Sequence, residues 1–216
     1  MPRDIVACER TSQLYVADYG MKCVWRVSSD GEDIKRLPKS PDDTFKPRLL
    51  SVTSTRLLVT IEETHELIEF DSDGDELGGV QLPHNMEPYH AVESPTGTFI
   101  VGRCKYNEEQ RVYQGGDVVE VNTGGEVLRQ FSGSRLTSLR FTPHVAIDSH
   151  GNIFVADQSN RRILLLDAHL SLRRVIIDDH QLNDKLPWRL CYREQSGQLS
   201  VGLDEGGVAV FDVLCR

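Results

Sequence analysis

The sequence predicts an all-β protein that folds as a β-propeller with five recognisable four-stranded blades. Three features support this: a repeated unit, short β-rich runs, and turn residues between the runs. Each unit opens on a proline, and successive prolines lie 41 to 55 residues apart, at Pro2, Pro47, Pro88, Pro143 and Pro187. A β-rich repeat of roughly forty residues is typical of propeller blades. We interpret residues 1–216 as one domain, with repeats at about 2–46, 47–87, 88–142, 143–186 and 187–216.

The fourth unit has the clearest strand pattern. Its strands a, b, c and d are expected at 143–148, 151–157, 162–167 and 172–177, and a tight turn at Ser149–Asn152 joins the first two. Apolar and polar residues alternate in the strands c, which indicates sheets with one buried face. Strand b of every unit contains a valine that fixes the register: Val16, Val59, Val101, Val155 and Val201.

Two units depart from the pattern. The third has about a dozen extra residues between strands b and c, at 103–116, and we expect a long loop there that serves for binding. The fifth unit stops after strand c, so its blade is predicted to be incomplete. A propeller with an incomplete last blade has open edges, and open edges favour self-association.

The motifs of the fourth unit resemble an NHL repeat: Pro-His-Val-Ala-Ile-Asp at 143–148, Gly-Asn-Ile-Phe-Val-Ala-Asp at 151–157 and Asn-Arg-Arg-Ile-Leu-Leu-Leu-Asp at 160–167. The first unit is similar. The resemblance implies a propeller of NHL type, which usually has six blades, so this chain would be a fragment of one or an open arc. NHL propellers often form the partner-binding part of TRIM-type ubiquitin ligases. Ligase activity would need a RING domain, and no paired zinc-ligand spacing occurs here.

Composition narrows the class of partner. The net charge of −9 does not attract nucleic acid non-specifically, and no apolar run is long enough to span a membrane. Five cysteines without CxxC spacing favour reduced thiols and a cytoplasmic location, with Cys8 and Cys191 expected in the core. No cofactor is expected.

A ring of side chains is predicted at the mouth of the central channel. Arg48, His90 and His144 each lie eleven residues before the strand b valine, and one inserted residue adds Asp4 and Arg189. Two histidines on such a ring suggest an alternative function, a metal-dependent enzyme of lyase or lactonase type. The other interpretation is that His90 and His144 are hydrogen-bonded residues of the channel mouth.

The b–c loops are the predicted partner-binding surface. They supply tyrosines, arginines and other hydrogen-bonding residues, which are common interface anchors: Tyr19, Lys22, Tyr106, Arg111, Tyr113, Asn160 and Arg161. We therefore expect a module that binds a protein or peptide. No nucleophile elbow or phosphate loop is present, so no enzymatic activity is expected. A third hypothesis is RNA binding through basic clusters at 35–48 and 161–174.

Overall fold

A computed structural model of the chain describes residues 1–8, 10–37, 44–53, 56–61, 63–107, 112–131 and 143–213. It confirms the predicted fold class. Nineteen strands form five antiparallel sheets, four of them with four strands and the last with three. Within every sheet the strands follow chain order, as expected for propeller blades built from consecutive hairpins.

The first three blades contain twelve strands. Blade one comprises β1 (Pro2–Cys8), β2 (Gln13–Asp18), β3 (Cys23–Ser28) and β4 (Ile34–Leu37). Blade two comprises β5 (Pro47–Val52), β6 (Arg56–Ile61), β7 (Glu66–Asp71) and β8 (Glu76–Gln81). Blade three comprises β9 (Glu87–Glu93), β10 (Phe99–Asn107), β11 (Val112–Val121) and β12 (Val127–Phe131).

The last two blades contain seven strands. Blade four comprises β13 (His144–Ile147), β14 (Ile153–Asp157), β15 (Arg162–Leu166) and β16 (Leu172–Ile177). Blade five comprises β17 (Pro187–Arg193), β18 (Gln198–Leu203) and β19 (Val208–Asp212). Within the described ranges, helix is limited to two 3-10 turns, at Gln158–Asn160 and Glu194–Ser196. Neither has the length or apolar character to cross a membrane.

The core lies between the blades. The first strand of each blade packs against the first strand of the next, from β1 through β5, β9 and β13 to β17. Each sheet therefore has a backward face, toward the preceding blade, and a forward face, toward the following one. Val59, Val101, Val155 and Val201 are all fully buried on backward faces, which explains the valine that recurs in strand b.

Four hydrophobic clusters fill the junctions between consecutive blades. In the junction of blades four and five, for example, Phe154 and Ile163 on the forward face of blade four pack with Leu190 and Val201. Among the described residues, no such cluster joins blade five to blade one. The chain is therefore an arc of five blades with an unfilled junction, where Arg189 Nε and Asp4 Oδ1 form an ion pair between the two ends, 3.4 Å apart.

Two expectations about single segments are wrong. The long loop predicted at 103–116 is mostly strand, because β10 and β11 extend past the other hairpins and pair as far as Asn107 and Val112. Cys8 is buried as expected, but Cys191 is exposed. Cys191 lies on the forward face of blade five, which has no following blade to cover it.

The unfilled junction leads to a prediction about two equivalent valines. Val118 and Val208 both pair with a strand b glycine, yet Val118 is fully buried and Val208 is 68 % exposed. Val118→Ala should lower the free energy of unfolding by about 2 kcal/mol, because it removes two buried methyl groups and leaves a cavity. Val208→Ala should change it by less than about 0.5 kcal/mol. Urea unfolding of both variants tests this, and equal losses would contradict an open junction.

Candidate functional site

The pairing of strands a and b defines an inner ring with one residue from each blade. These residues lie opposite the residue that follows the strand b valine, and they are Asp4, Leu49, His90, His144 and Arg189. Their partners across the pair are small: Ala17, Thr60, Gly102, Ala156 and Gly202. At Gly102 a Cβ atom would overlap the carbonyl group of Pro143, so the approach of blades three and four there requires glycine.

Side chains of this ring form hydrogen bonds to the main chain of neighbouring blades. The Leu50 N–H donates to Asp4 Oδ2 at 2.8 Å, which joins blades one and two. The Val145 N–H donates to His90 Nδ1 at 3.4 Å, and the Leu190 N–H donates to His144 Nδ1 at 3.3 Å. His90 Nε2 lies 3.2 Å from the Leu50 carbonyl oxygen. Every junction of the arc is thus bridged at its inner end.

These bonds fix the protonation state of both imidazoles. Because Nδ1 of His90 accepts from an N–H group, that atom carries no proton, and Nε2 must carry one to donate to Leu50. His144 is the same tautomer by the same argument. The two rings are buried and stacked, with centroids 3.7 Å apart and planes 16° apart.

Burial determines the ionisation of the ring. Desolvation lowers the pKa of His90 to about 3, and the nearby Arg189 charge acts in the same direction. Burial also holds the pKa of His144 well below its usual range, helped by His90 and Arg189. Desolvation raises the pKa of Asp4, an effect opposed by the Leu50 N–H and by Arg189. Both imidazoles are therefore neutral at physiological pH.

This arrangement does not suit the metal-enzyme alternative. Coordination by His90 would break one of its two hydrogen bonds, since both ring nitrogens are already engaged. The described part of the chain contains no group of three or more His, Cys, Asp or Glu side chains placed to hold an ion. His90 and His144 instead form hydrogen bonds to neighbouring blades, which agrees with the alternative that they are hydrogen-bonded residues of the channel mouth.

Arg48 does not occupy the ring position that counting from Val59 assigns to it. The pairing of β5 with β6 shifts between Pro47 and Leu49, so Leu49 takes that position and Arg48 lies in a β-bulge. The same shift leaves Arg3, Tyr89 and Trp188 in bulges of their blades. Counting back from the valine fails in blade two because its a–b hairpin is one residue shorter: Leu50 pairs with Val59, whereas Ala91 pairs with Val101 and Val145 with Val155. Counting forward from Pro2, Pro47, Pro88 and Pro187 finds both positions.

The bulges build a cluster at the channel mouth that the sequence analysis missed. We call Arg48, Tyr89 and Arg189 the Tyr89 cluster. The guanidinium carbon atoms of Arg48 and Arg189 lie 4.7 and 5.7 Å from the centre of the Tyr89 ring. Arg189 also donates to the Tyr89 hydroxyl group at 3.1 Å. Two cations on one aromatic ring are attracted by its negative faces.

A second cluster surrounds Tyr19 on the same side of the propeller. We call Arg3, Tyr19, Lys46 and Glu63 the Tyr19 cluster. The Tyr19 hydroxyl group donates to Glu63 Oε1 at 2.7 Å, and Lys46 Nζ lies 2.5 Å from Glu63 Oε2. Arg3 and Lys46 lie 5.0 and 5.8 Å from the centre of the Tyr19 ring. The cluster joins the b–c loops of two blades to the starts of strands a, so these segments share one face.

Other predicted partner residues have different surroundings. The Asn160 amide donates to both carboxylate oxygens of the buried Asp157, at 2.8 Å each, so it braces the loop. Arg161 is exposed, in a left-handed backbone conformation, and Lys22 is half-buried. Tyr106 and Tyr113 are paired in the backbone register of β10 and β11. Arg111 lies outside the described residues.

The third-blade hairpin is held at its base by a buried ion pair. Arg103 Nε and one terminal nitrogen donate to the two oxygens of Asp117, at 2.6 and 3.1 Å, and Gln130 donates to the same carboxylate. Asp117 is fully buried, so its charge requires these partners. The hairpin is thus a braced extension of the sheet.

The chain resembles solved β-propellers across almost its whole length. It aligns with virginiamycin B lyase from Staphylococcus aureus over 100 % of this chain and 70 % of that one, with 13 % identity and a TM-score of 0.63. A luciferin-regenerating enzyme gives 15 % identity, 98 % and 72 % coverage and a TM-score of 0.68. A nidogen/laminin complex gives 14 % identity over 98 % of this chain and 76 % of that one, with a TM-score of 0.67. At such identities the likeness establishes the β-propeller fold alone.

No known family and no curated protein matches the sequence. The NHL assignment therefore stays a resemblance, while the propeller class is established. The expectation that the chain lacks enzymatic activity is wrong, because the similar propellers include a lyase and a luciferin-regenerating enzyme. The fold is compatible with catalysis as well as with binding.

The buried histidines predict a specific pH dependence of stability. Their pKa values are lower in the folded protein than the usual value of about 6.5, so the unfolded chain binds more protons below that pH. This part of the stability is complete above about pH 6.5 and is lost as the pH falls toward 3. Each histidine should contribute about 1 kcal/mol per pH unit to the slope in that range.

Urea unfolding from about pH 7 to about pH 5 tests the prediction. His90→Gln should reduce the slope by the contribution of one histidine. His180→Gln, which changes an exposed histidine, is the control. A slope in His90→Gln equal to that of the original chain would contradict a neutral, buried His90.

Proposed function

We propose that this propeller binds a protein or peptide partner across the face that carries the Tyr19 and Tyr89 clusters. The observation that carries the proposal is a pair of clusters in which two cationic side chains flank a tyrosine: Tyr19 is half-buried, and the buried Tyr89 supports the half-buried Arg48 and Arg189. Tyrosine and arginine are frequent anchors of protein interfaces, because they combine a large contact area with hydrogen bonding.

The electrostatics of the two clusters favour a partner segment that carries carboxylate groups. Arg3, Lys46, Arg48 and Arg189 contribute four positive charges to these clusters, in which Glu63 pairs with Lys46 and Asp4 pairs with Arg189. The rest of the chain is acidic, with a net charge of −9. A positive mouth on a negative molecule would orient an acidic segment toward this face.

The clusters are also ordered before binding. Tyr19 is held by Glu63, and Tyr89 is held by Arg189, so their side chains have already lost part of their rotamer freedom. Side chains that are fixed in advance lose less entropy when a partner binds. The nidogen/laminin complex is an example of a propeller protein in a complex with another protein.

The resemblance to TRIM-type NHL propellers adds a finer proposal. The partner would then be a protein that a RING-bearing region, absent from this chain, marks with ubiquitin. A cytoplasmic location fits this role, and the buried thiols of Cys8 and Cys23 form no disulfide, as is usual in a reducing compartment. The geometry of the mouth supports the binding step only.

Affinity capture with quantitative mass spectrometry tests the binding proposal. The original chain would be compared with a Tyr19→Ala/Arg48→Glu double variant, which removes one anchor from each cluster. Specific protein partners should fall by about tenfold or more, because the variant loses an aromatic contact and reverses one charge.

Arg174→Glu provides the matched control, since Arg174 is an exposed arginine on β16, the outer strand of blade four. This variant should capture the same proteins as the original chain, in the same amounts. Identical capture by the double variant would contradict the proposal. Capture that disappears after nuclease treatment and falls steeply with salt would point to RNA instead.

A further inference from the structure

Two polar atoms on the b–c loop of blade four have neither a hydrogen-bond partner nor contact with solvent. They are Gln158 Nε2 and Ser159 Oγ, on consecutive residues of the 3-10 turn Gln158–Asn160. Gln158 as a whole is only 6 % exposed. Within the described ranges two further side-chain atoms share this condition, Thr11 Oγ1 and Ser51 Oγ, and they lie in other blades. The blade-four turn thus holds two such atoms side by side.

The rest of this loop pairs its polar groups. Asn160 donates to both carboxylate oxygens of Asp157, and Arg162 Nε donates to one of them at 2.8 Å. The main-chain N–H of Arg161 donates to the carbonyl oxygen of Gln158 at 3.0 Å. A buried polar group without a partner keeps the full cost of its desolvation, so most buried polar groups in proteins are paired. The two unpaired atoms are therefore an exception within a braced loop.

The turn lies on the face that we propose binds a partner. Gln158 follows the strand b valine Val155 by three residues, and Tyr19 follows Val16 by the same number. Gln158 thus has the place in blade four that Tyr19 has in blade one. The Tyr19 side chain donates to Glu63 of the following blade, whereas Gln158 Nε2 has no such partner.

The chemistry of the two groups indicates what they can bind. An amide nitrogen donates and does not accept, and a hydroxyl group can donate, so both suit an oxygen acceptor. Both donors are neutral. The b–c loop of the following blade carries the exposed side chains of Asp204 and Glu205, whose charges repel a carboxylate. A neutral main-chain carbonyl oxygen is therefore the acceptor that fits this turn.

We propose that Gln158 and Ser159 bind main-chain carbonyl oxygens of the partner segment, through hydrogen bonds that form only in the complex. The two side chains turn outward as the segment binds, and each exchanges an unpaired state for a hydrogen bond. The inference rests on the proposed function: acidic side chains of the segment lie at the Tyr19 and Tyr89 clusters, and its main chain lies at the blade-four turn. Pairing of the two groups then favours the complex over the free chain.

Two substitutions that remove the unpaired groups test the inference through stability. Gln158→Met keeps a side chain of similar length without the amide, and Ser159→Ala removes the hydroxyl group. Each should raise the midpoint of thermal unfolding by about 2 to 4 °C, because the folded chain no longer buries an unpaired polar group. A purely structural role of either side chain in the turn predicts a lower midpoint instead.

The same variants should bind the partner less well although they are more stable. Affinity capture is measured on the proteins whose capture Tyr19→Ala/Arg48→Glu reduces. Gln158→Met and Ser159→Ala should each lower that capture by about threefold to tenfold, the effect of one lost hydrogen bond.

Ser51→Ala is the matched control. It removes a hydroxyl group that is equally unpaired, from a residue that pairs with Leu58 near the a–b turn of blade two, away from the mouth. It should raise the thermal midpoint as Ser159→Ala does and leave capture unchanged.

The outcomes separate this inference from the proposed function. Loss of capture in Tyr19→Ala/Arg48→Glu, with full capture in both turn variants, would refute the role of Gln158 and Ser159 and leave the binding face in place. Full capture in all three variants would refute both. Thermal midpoints of the turn variants no higher than that of the original chain would also overturn the inference, because the two groups would then cost the folded chain nothing.

Discussion

The arrangement of the blades depends on hydrogen bonds between buried side chains of the inner ring and the main chain of the neighbouring blades. Asp4, His90 and His144 each accept a main-chain N–H from the following blade, and His90 also donates to the preceding one. A buried N–H group without an acceptor costs free energy comparable to a lost hydrogen bond. The main-chain N–H groups at the starts of the inner strands lie between sheets. The ring side chains supply the acceptors that these groups would otherwise lack.

Because the ring residues are engaged in contacts between blades, the candidate functional surface lies outside the ring. His90 has both nitrogens engaged, and Asp4 is committed to Leu50 and Arg189, so these groups are not available to a ligand without loss of a contact between blades. The bulge residues one step toward the mouth carry different chemistry. There Arg48 lies beside Tyr89, the ring residue Arg189 reaches the same tyrosine, and the b–c loops add Tyr19 with its own cations. The same repeat therefore supplies an inner layer that holds blades together and an outer layer that can contact a partner.

Much of the fold is predictable from the sequence, because the same strand pattern recurs in every unit and a weak pattern in one unit is supported by the others. The strand b valines mark the same face of each sheet, and Val59, Val101, Val155 and Val201 pack toward the preceding blade. The sequence also predicts that the fifth blade lacks its last strand. What it misses are features that belong to single blades. Arg48 falls outside the ring because the a–b hairpin of blade two is one residue shorter than those of blades three and four, and the long hairpin of β10 and β11 is held at its base by the ion pair of Arg103 with Asp117.

The open junction and the inner ring are related through Arg189. In the filled junctions a ring side chain bonds to the main chain of a neighbouring blade, whereas between blades five and one a long arginine reaches Asp4. Its positive charge also lies near the two imidazoles and opposes their protonation. The state of the histidines thus reports on the integrity of the whole ring.

Nitrogen NMR of the histidine side chains tests the structural role of the ring most directly. From about pH 7 to about pH 5, His90 and His144 should remain neutral, with the proton on Nε2 and the Nδ1 resonance of a hydrogen-bond acceptor. Zinc should leave both resonances unchanged. Protonation with a midpoint near 6.5, or a shift of either Nδ1 resonance on addition of zinc, would contradict a ring that is committed to holding the blades together.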